Sequence, residues 1–373
     1  MHYIVWADRC RVGLRFVIRR DVLRPHRRDF EVLFSQVRNT KYQVVVASIG
    51  RAACHARRAN GTEYMRIHFP PLVPAEIELR RGRLIARLRP DIGGSISGFW
   101  YLQAHVALPV LRPAVIDARD ALEMASFPLV PFCNRVEHGR FLWQGREVYL
   151  PPNDPADQFV LHGYGWKAAW RVIAQDAQSA HLDWLHEEGI WPWRFAATQN
   201  VTLGPDGLHV ELSVTNLSET AMPAALGHHP YFPLSPHTLL EADVGGKWET
   251  DTRLIPTHYS EVAYGQIFGS ARTPHGRPLD NTFTQWRQPA CIHQPHWDMR
   301  VELAAEPQHS HLAVFVPPSN AFFCVEPVMN IPDALNALPE HSGITALAPG
   351  ERLRSLMIIK PRVAADARVT ATT

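Results

Sequence analysis

Acid, base and hydrogen-bonding side chains gather at four places in this chain, each at a turn or a strand end. Phe127-Pro128-Leu129-Val130-Pro131-Phe132-Cys133-Asn134-Arg135 sets Asn134 and Arg135 directly after an apolar, proline-marked run. An amide beside a guanidinium can clamp the hydroxyls of a sugar, although an arginine in such a place is more often a surface charge. Leu161-His162-Gly163-Tyr164-Gly165-Trp166 puts an imidazole among glycines, which permit close backbone approach, with aromatics alongside. Gly227-His228-His229-Pro230-Tyr231-Phe232 is similar, with two imidazoles and two aromatics. Phe322-Phe323-Cys324-Val325-Glu326-Pro327 ends a hydrophobic strand with a carboxylate, which period-two counting places on the face of Cys324 and opposite to Val325. A carboxylate and an imidazole are the usual partners for moving protons at neutral pH.

Each cluster also has an ordinary explanation. The chain has 20 histidines, so most are incidental. Glu326 can form a structural ion pair with Arg135. His162, His229 and Glu326 can instead bind zinc, but none has the local spacing of a metal motif, so no metal and no cofactor is expected.

The elements that position these residues read as strands. Ile77-Glu78-Leu79 and Leu84, Ala86 and Leu88 alternate around the turn Arg81-Gly82, as in a half-buried hairpin. Residues 195–203 and 208–214 flank Gly204-Pro205-Asp206-Gly207, a second hairpin with clear turn chemistry. Val301 to Leu303, His311 to Val316, Ala321 to Val325 and Leu353 to Lys360 read as later strands. No helical spacing persists beyond a turn or two, and 31 prolines against 22 glycines argue against a helical bundle. Short strands spaced over nearly 300 residues predict an all-β chain, a large antiparallel sandwich.

Composition narrows the function. The 373 residues are 46% hydrophobic and 20% charged, with a formal net charge of +2. The apolar runs at 44–49 and 127–132 fall far short of the ~20 residues of a membrane span, and no leader pattern opens the chain. No membrane association is therefore expected. The five cysteines (Cys10, Cys54, Cys133, Cys291, Cys324) are odd in number and lack CxxC spacing, which points to free thiols in a reducing, cytoplasmic setting. Residues 1–75 carry 14 basic and 5 acidic side chains, a net of +9, against −7 for the remainder. A basic arm for nucleic acid would need a stripe or motif that these arginines lack. With 34 Arg and 4 Lys overall, the segment reads instead as a non-globular extension, or as translated upstream sequence ahead of a start near Met65, and no nucleic-acid partner is expected. The domains are then 1–75, a sandwich at 76–362, and a tail at 363–373.

Taken in order, the clusters resemble the aldose 1-epimerase (galactose mutarotase) family. The matching segments are "SFPLVPFCNRVEHGRFLWQGREVYLPPN" (126–153), "LHGYGW" (161–166), "GHHPYFPL" (227–234), "PLDNTF" (278–283), "FFCVEPVMNIPDALN" (322–336) and "LAPGERL" (347–353). They span about three quarters of the chain, and residues 1–75 have no counterpart. The resemblance implies a β-sandwich with a monosaccharide in a cleft across one sheet. It implies Glu326 as general base, His229 (not His228) as general acid, His162 as a second imidazole at the ring oxygen, and Arg135 and Asp280 as binders of sugar hydroxyls. Asn134 joins Arg135 in that role, and Tyr231 and Trp166 are candidates for an apolar wall behind the pyranose. Interconverting anomers means opening a hemiacetal, which needs one proton taken from the C1 hydroxyl and another given to the ring oxygen. Better-studied galactose mutarotases have Asn before the motif histidine and after Tyr-Phe, where this chain has His228 and Pro233; Pro327 after the carboxylate also departs from them. Two alternatives stand beside a free-sugar epimerase: a hexose-6-phosphate 1-epimerase, which would need a basic cluster for the phosphate, and a non-catalytic sugar-binding sandwich.

Overall fold

In a computed structural model the described residues are 76–263, 268, 271–305 and 309–364, with five strands before them, Ile4–Val5, Leu14–Arg15, Asp29–Leu33, Ala53–Ala59 and Thr62–His68. The chain divides into two units, Met1–Leu72 and Val73–Thr373. In the first, Ile4–Val5 pairs with Leu14–Arg15, and Thr62–His68 lies between Asp29–Leu33 and Ala53–Ala59. Beyond those strands, the reading of residues 1–75 as an extension, and of a tail past Ala364, falls outside the described residues.

The second unit is an all-β antiparallel sandwich. One sheet, called sheet I here, runs Arg171–Gln175, Ser179–His186, Phe195–Leu203, Leu208–Asn216, Arg352–Val363, Met299–Ala305, Arg287–Gln294 and Leu239–Asp243 in spatial order. Sheet II runs Pro128–Leu129, Gly227–His228, Phe322–Val328, His311–Val316, Leu279–Thr284, Gly246–Thr250 and Pro256–Glu261, with Tyr231–Pro233 also paired to Phe322–Val328. A four-stranded meander, Ile77–Arg81, Leu84–Arg89, Ser95–Gln103 and Val106–Pro109, precedes both in sequence.

The period-two pattern explains these pairings. In Phe195–Leu203 every second residue is buried, and the strand pairs in unbroken register with Leu208–Asn216 from Phe195↔Asn216 to Leu203↔Leu208. Gly204 donates its N–H to the Gly207 carbonyl at 2.8 Å, closing the turn read from the sequence. Inward residues of sheet I (Val201, Leu212, Met357, Ile359) and of sheet II (Phe232, Leu312, Val314, Phe323, Val325) belong to one hydrophobic core. Each such fully buried side chain contributes roughly 1.5–3 kcal/mol of transfer free energy. The strand expected over 321–325 instead spans Phe322–Val328, running on through Pro327 where its pairing toward residues 228–230 lapses. Helix is limited to short segments among the described residues, the one α-helical turn being Pro339–Ser342.

The other face of sheet II carries a smaller apolar cluster that includes Leu129, Tyr231, Ala313, Cys324 and Val328. Alternation along Phe322–Val328 therefore sends Phe323 and Val325 into the main core, and Cys324, Glu326 and Val328 to the opposite face. On that second face the candidate functional residues converge.

Candidate active site

Register places Glu326 beside His229. Gly227 pairs with Val328 and Tyr231 with Cys324, so counting inward from either end sets residue 229 directly opposite residue 326. Opposed side chains on antiparallel neighbours project side by side from the same face. His229 Nε2 accordingly lies 3.4 Å from Glu326 Oε1. On the other flank of the strand, Ala313 is opposite Glu326 and Phe315 is opposite Cys324. One strand further, Asp280 is opposite Phe315. The acidic residues thus stand on two adjacent cross-strand rows, with the small Ala313 next to Glu326.

A second group comes from the loop 130–135 and the segment 153–166. Arg135–Val136 pairs with Val160–Leu161, and just beyond that ladder His162 donates its N–H to the Asn134 carbonyl at 3.0 Å. Asn134 and His162 both have left-handed backbones (φ 62° and 57°), which cost non-glycine residues on the order of 1–3 kcal/mol each. Gly163 follows, also left-handed (φ +65°), and a Cβ there would run into the Val130 carbonyl oxygen, so the turn requires glycine. Asn153 brackets the same turn, donating to the carbonyls of Leu161 and Gly163 and accepting from the Leu161 N–H, all at 2.8 Å.

The two imidazoles meet edge to face with ring centroids 5.3 Å apart, but they are held differently. His162 Nδ1 accepts the Asn134 backbone N–H at 3.0 Å. The neutral ring must then carry its proton on Nε2, as a fixed donor. His229 has no such anchor: its Nδ1 is buried without a hydrogen-bond partner. Its ring is packed instead against Phe127 (4.5 Å) and Tyr231 (4.7 Å). Its tautomer is therefore free to change.

Burial dominates the electrostatics. His162, His229 and Glu326 are 6%, 6% and 4% exposed. Desolvation pushes His229 down to about 3 and holds His162 well below the usual imidazole range, with each cation-forming neighbour adding to the effect. The same burial raises Glu326 well above an ordinary carboxylate, and the nearby Asp280 adds to it. Both shifts favour the uncharged forms, a protonated carboxyl and a neutral imidazole.

Arg135 is fixed by two carboxylates. Its Nε donates to Asp157 Oδ2 at 2.8 Å, and its Nη1 lies 3.6 Å from Asp280 Oδ2. The structural alternative of an Arg135–Glu326 ion pair is thus replaced by Asp157 and Asp280 as the partners. Asp157 is itself pinned, its Oδ1 accepting the Phe159 N–H at 2.9 Å. Burial raises the Asp280 carboxyl, opposed by Arg135. The Asn134 side-chain oxygen accepts the Arg135 backbone N–H at 2.9 Å and a guanidinium N–H from Nη1 at 3.4 Å, so this amide helps to orient the guanidinium as well as lying beside the site.

Tyr231 and Trp166, the candidates for an apolar wall, are among the most buried side chains of the group. They are 3% and 1% exposed and lie packed behind the imidazoles. The Arg112 guanidinium stands 4.1 Å from the Tyr231 ring centre and the Lys167 ammonium 3.8 Å from that of Trp166. Trp166 Nε1 donates to the carbonyls of Leu161 and Gly163. Tyr231 stacks on the His229 ring, and Trp166 meets the His162 ring edge to face at 6.3 Å. His228 lies outside the group, its Nε2 2.8 Å from Ser355 Oγ in sheet I; the departure from the Asn of better-studied enzymes is a bridge between sheets.

The model of the family described as aldose 1-epimerase matches residues 76–360 of this chain. The chain belongs to the aldose 1-epimerase family. Among curated relatives, the uncharacterized protein YphB of Escherichia coli (strain K12) is 34% identical over 278 residues, covering 72% of this chain and 93% of its own. A crystal structure of an aldose 1-epimerase candidate from Escherichia coli K12 is 33% identical with a TM-score of 0.71, covering 77% of this chain and 99% of that one. A galactose mutarotase-like protein from Clostridium acetobutylicum shares the fold at 20% identity and a TM-score of 0.67, covering 77% and 95%.

Within this aldose 1-epimerase scaffold, Glu326, His229, His162, Arg135, Asn134 and Asp280 all gather on or beside one face of sheet II. Asp157, Asn153, Phe127 and Arg112 were not legible beforehand as parts of the arrangement. Phe127 lay inside a quoted motif, but nothing in the composition around Asp157 marks it as the partner of Arg135. A cavity of about 950 Å³ lies elsewhere, among Arg81, Tyr101, His293, Met299 and Arg362, and holds none of the motif residues.

Proposed function

We propose that this protein interconverts the α and β anomers of a free aldohexose by acid–base ring opening and closure. The observation that carries the reading is the cross-strand pair Glu326–His229, two buried groups of opposite proton affinity 3.4 Å apart. Two oxygens on one carbon, as in a hemiacetal, are close enough to engage both groups at once. Glu326 as carboxylate takes the C1 hydroxyl proton while His229 as imidazolium protonates the ring oxygen, and the bond from C1 to that oxygen breaks. Rotation about C1–C2 turns the aldehyde, and closure reverses both proton transfers. The carboxylate–imidazolium form holds the same number of protons as the neutral pair, so one internal transfer primes the site without drawing a proton from water.

His162 fits as a fixed Nε2–H donor to the ring oxygen, and Arg135 with Asp280 as the clamp on the sugar hydroxyls. Each well-placed acid or base is worth about 10²–10⁴-fold in rate. A neutral sugar is favoured over a phosphate ester because Arg135 is already flanked by two carboxylates. The free thiols Cys133, Cys291 and Cys324 fit a reducing, cytoplasmic setting, and among the described residues no helix is long and apolar enough to cross a membrane.

Anomer exchange of glucose, galactose and glucose 6-phosphate, followed by NMR, tests this directly. The expected result is acceleration of at least one neutral hexose, lost by 10²–10⁴-fold in Glu326→Gln with the circular dichroism spectrum unchanged. Wild-type rates in that variant would remove Glu326 from the mechanism. Acceleration confined to the phosphate would replace the substrate class, and sugar binding without any acceleration would replace the enzyme with a binding protein.

A further inference from the structure

The proton-transfer pair has a third neighbour that anomer exchange does not use. Cys324 precedes Glu326 by two residues on Phe322–Val328 and shares its face, fully buried. One donor atom from each of His229, Cys324 and Glu326 lies within 4.8 Å of the other two. Imidazole, thiolate and carboxylate together suit zinc-class ions far better than magnesium or calcium.

The spacing also fits. His229 Nε2 and Glu326 Oε1 are 3.4 Å apart, beyond the usual 2.7–3.2 Å of an N–H···O hydrogen bond. Two ligands held tetrahedrally by bonds of about 2.0–2.2 Å to zinc stand roughly 3.4 Å from each other. With zinc–sulfur bonds of about 2.3 Å, the thiol, within 4.8 Å of the other two donors, would close in on them when an ion binds. Three protein donors leave the fourth tetrahedral corner to water. A histidine that binds a resident metal normally donates its other nitrogen to an outer partner, whereas His229 Nδ1 is buried with none. That combination suits an ion that comes and goes.

We propose that His229, Cys324 and Glu326 form a reversible inhibitory site for Zn²⁺ or Cd²⁺. Binding displaces the thiol proton to solvent and ties up the lone pairs that ring opening needs. The inference rests on the acid–base reading of His229 and Glu326, because only then does the ion stop catalysis. Zinc is thus a regulator of this site, and the thiol is what makes it sensitive.

The test uses the metal-free full-length protein and two readouts. Cd²⁺ titration should produce one equivalent of thiolate-to-metal charge-transfer absorption, which Cys324→Ser abolishes and which Cys291→Ser leaves in place. Zn²⁺ should slow anomer exchange by at least tenfold, a chelator should restore it, and Cys324→Ser should keep wild-type exchange within about twofold while losing the zinc sensitivity. Absorption retained in Cys324→Ser, or equal zinc inhibition of that variant, overturns the proposal. If Cys324→Ser does not fold, Glu326→Gln supplies the second arm: its Cd²⁺ affinity should fall at least tenfold, and unchanged affinity overturns the proposal. Charge transfer in a protein that never accelerates anomer exchange would keep the metal site and sink the epimerase reading; exchange without charge transfer does the reverse.

Discussion

Sheet I and sheet II are built from the same antiparallel ladder and put it to different uses. Phe195–Leu203 in sheet I alternates buried and half-buried residues from end to end. Phe322–Val328 in sheet II is buried at six successive positions. The first strand has one face in the core and one toward water. Thr198, Asn200 and Thr202 lie on the outer face, and the one polar residue on the core face, Gln199, is satisfied by donating to the Gly94 carbonyl at 2.7 Å. The second has Phe323 and Val325 in the main core and Cys324 and Glu326 in an enclosed second layer. Covering both faces desolvates Glu326 and His229, which is what moves their proton affinities. Regular alternation marks a strand with one face in water, and its loss marks the strand that holds the proposed proton-transfer pair.

The most direct way to break that contrast is His229→Gln. Removing the imidazole opposite Glu326 should lower kcat/KM for anomer exchange by about 10²–10⁴-fold per folded molecule; a loss under tenfold would make His229 structural. The counterpart in sheet I is Leu212→Ala. It should cost about 2–5 kcal/mol of stability in urea unfolding, while kcat/KM of the folded fraction stays within twofold. A large rate loss there would show that the two sheets do not divide the work.

A finer cut is Asp157→Asn, which frees Arg135 from its shortest ion pair. The expected result is roughly a tenfold fall in kcat/KM carried mainly by KM, of the order of a lost charge-assisted hydrogen bond; a pure kcat effect would place Asp157 in the chemical step. The smallest effect is in the pH dependence of stability. His162, His228, His229 and His311 all have imidazoles held below the ordinary 6.5, the last two at about 3 and about 4. Each therefore adds stability above pH 6.5 that is lost as pH falls toward its folded value, because the unfolded chain binds the extra proton. Glu326, raised above 4.5, acts with the opposite sign, since above pH 4.5 the folded state keeps a proton that the unfolded chain releases. Above pH 4.5 and up to its folded value it offsets part of the histidine contribution. Glu326→Gln should steepen the fall of stability with acid just above pH 4.5, read from urea midpoints; an unchanged slope would mean that Glu326 is ionised in the fold.

Much of the scaffold was legible because it obeys local rules. The hairpin at 195–216 announces itself by alternation and by Gly204-Pro205-Asp206-Gly207, and the structure closes it there. The site was legible only as separate fragments with a resemblance binding them. Period two placed Cys324 and Glu326 on one face, as found. It could not place Asp157 against Arg135, 22 residues away, since that contact depends on how two turns meet. Tyr231 and Trp166 were read as a wall for the sugar because aromatics near polar motifs suggest one; their depth behind the imidazoles depends on Phe127, Arg112 and Lys167, which come from other segments.

The chain by itself determined its strands, its turns and its family, because these follow from side-chain periodicity, backbone permissiveness and ordered motifs, and the resemblance those motifs carry singled out Glu326 and His229 as the proposed base and acid. Only the tertiary structure decided that His229 stands opposite Glu326, that His162 is locked as a donor while His229 is not, and that a thiol joins them. Those facts arise from register between strands nearly a hundred residues apart, and from the desolvation that packing on both faces imposes, neither of which any local pattern encodes.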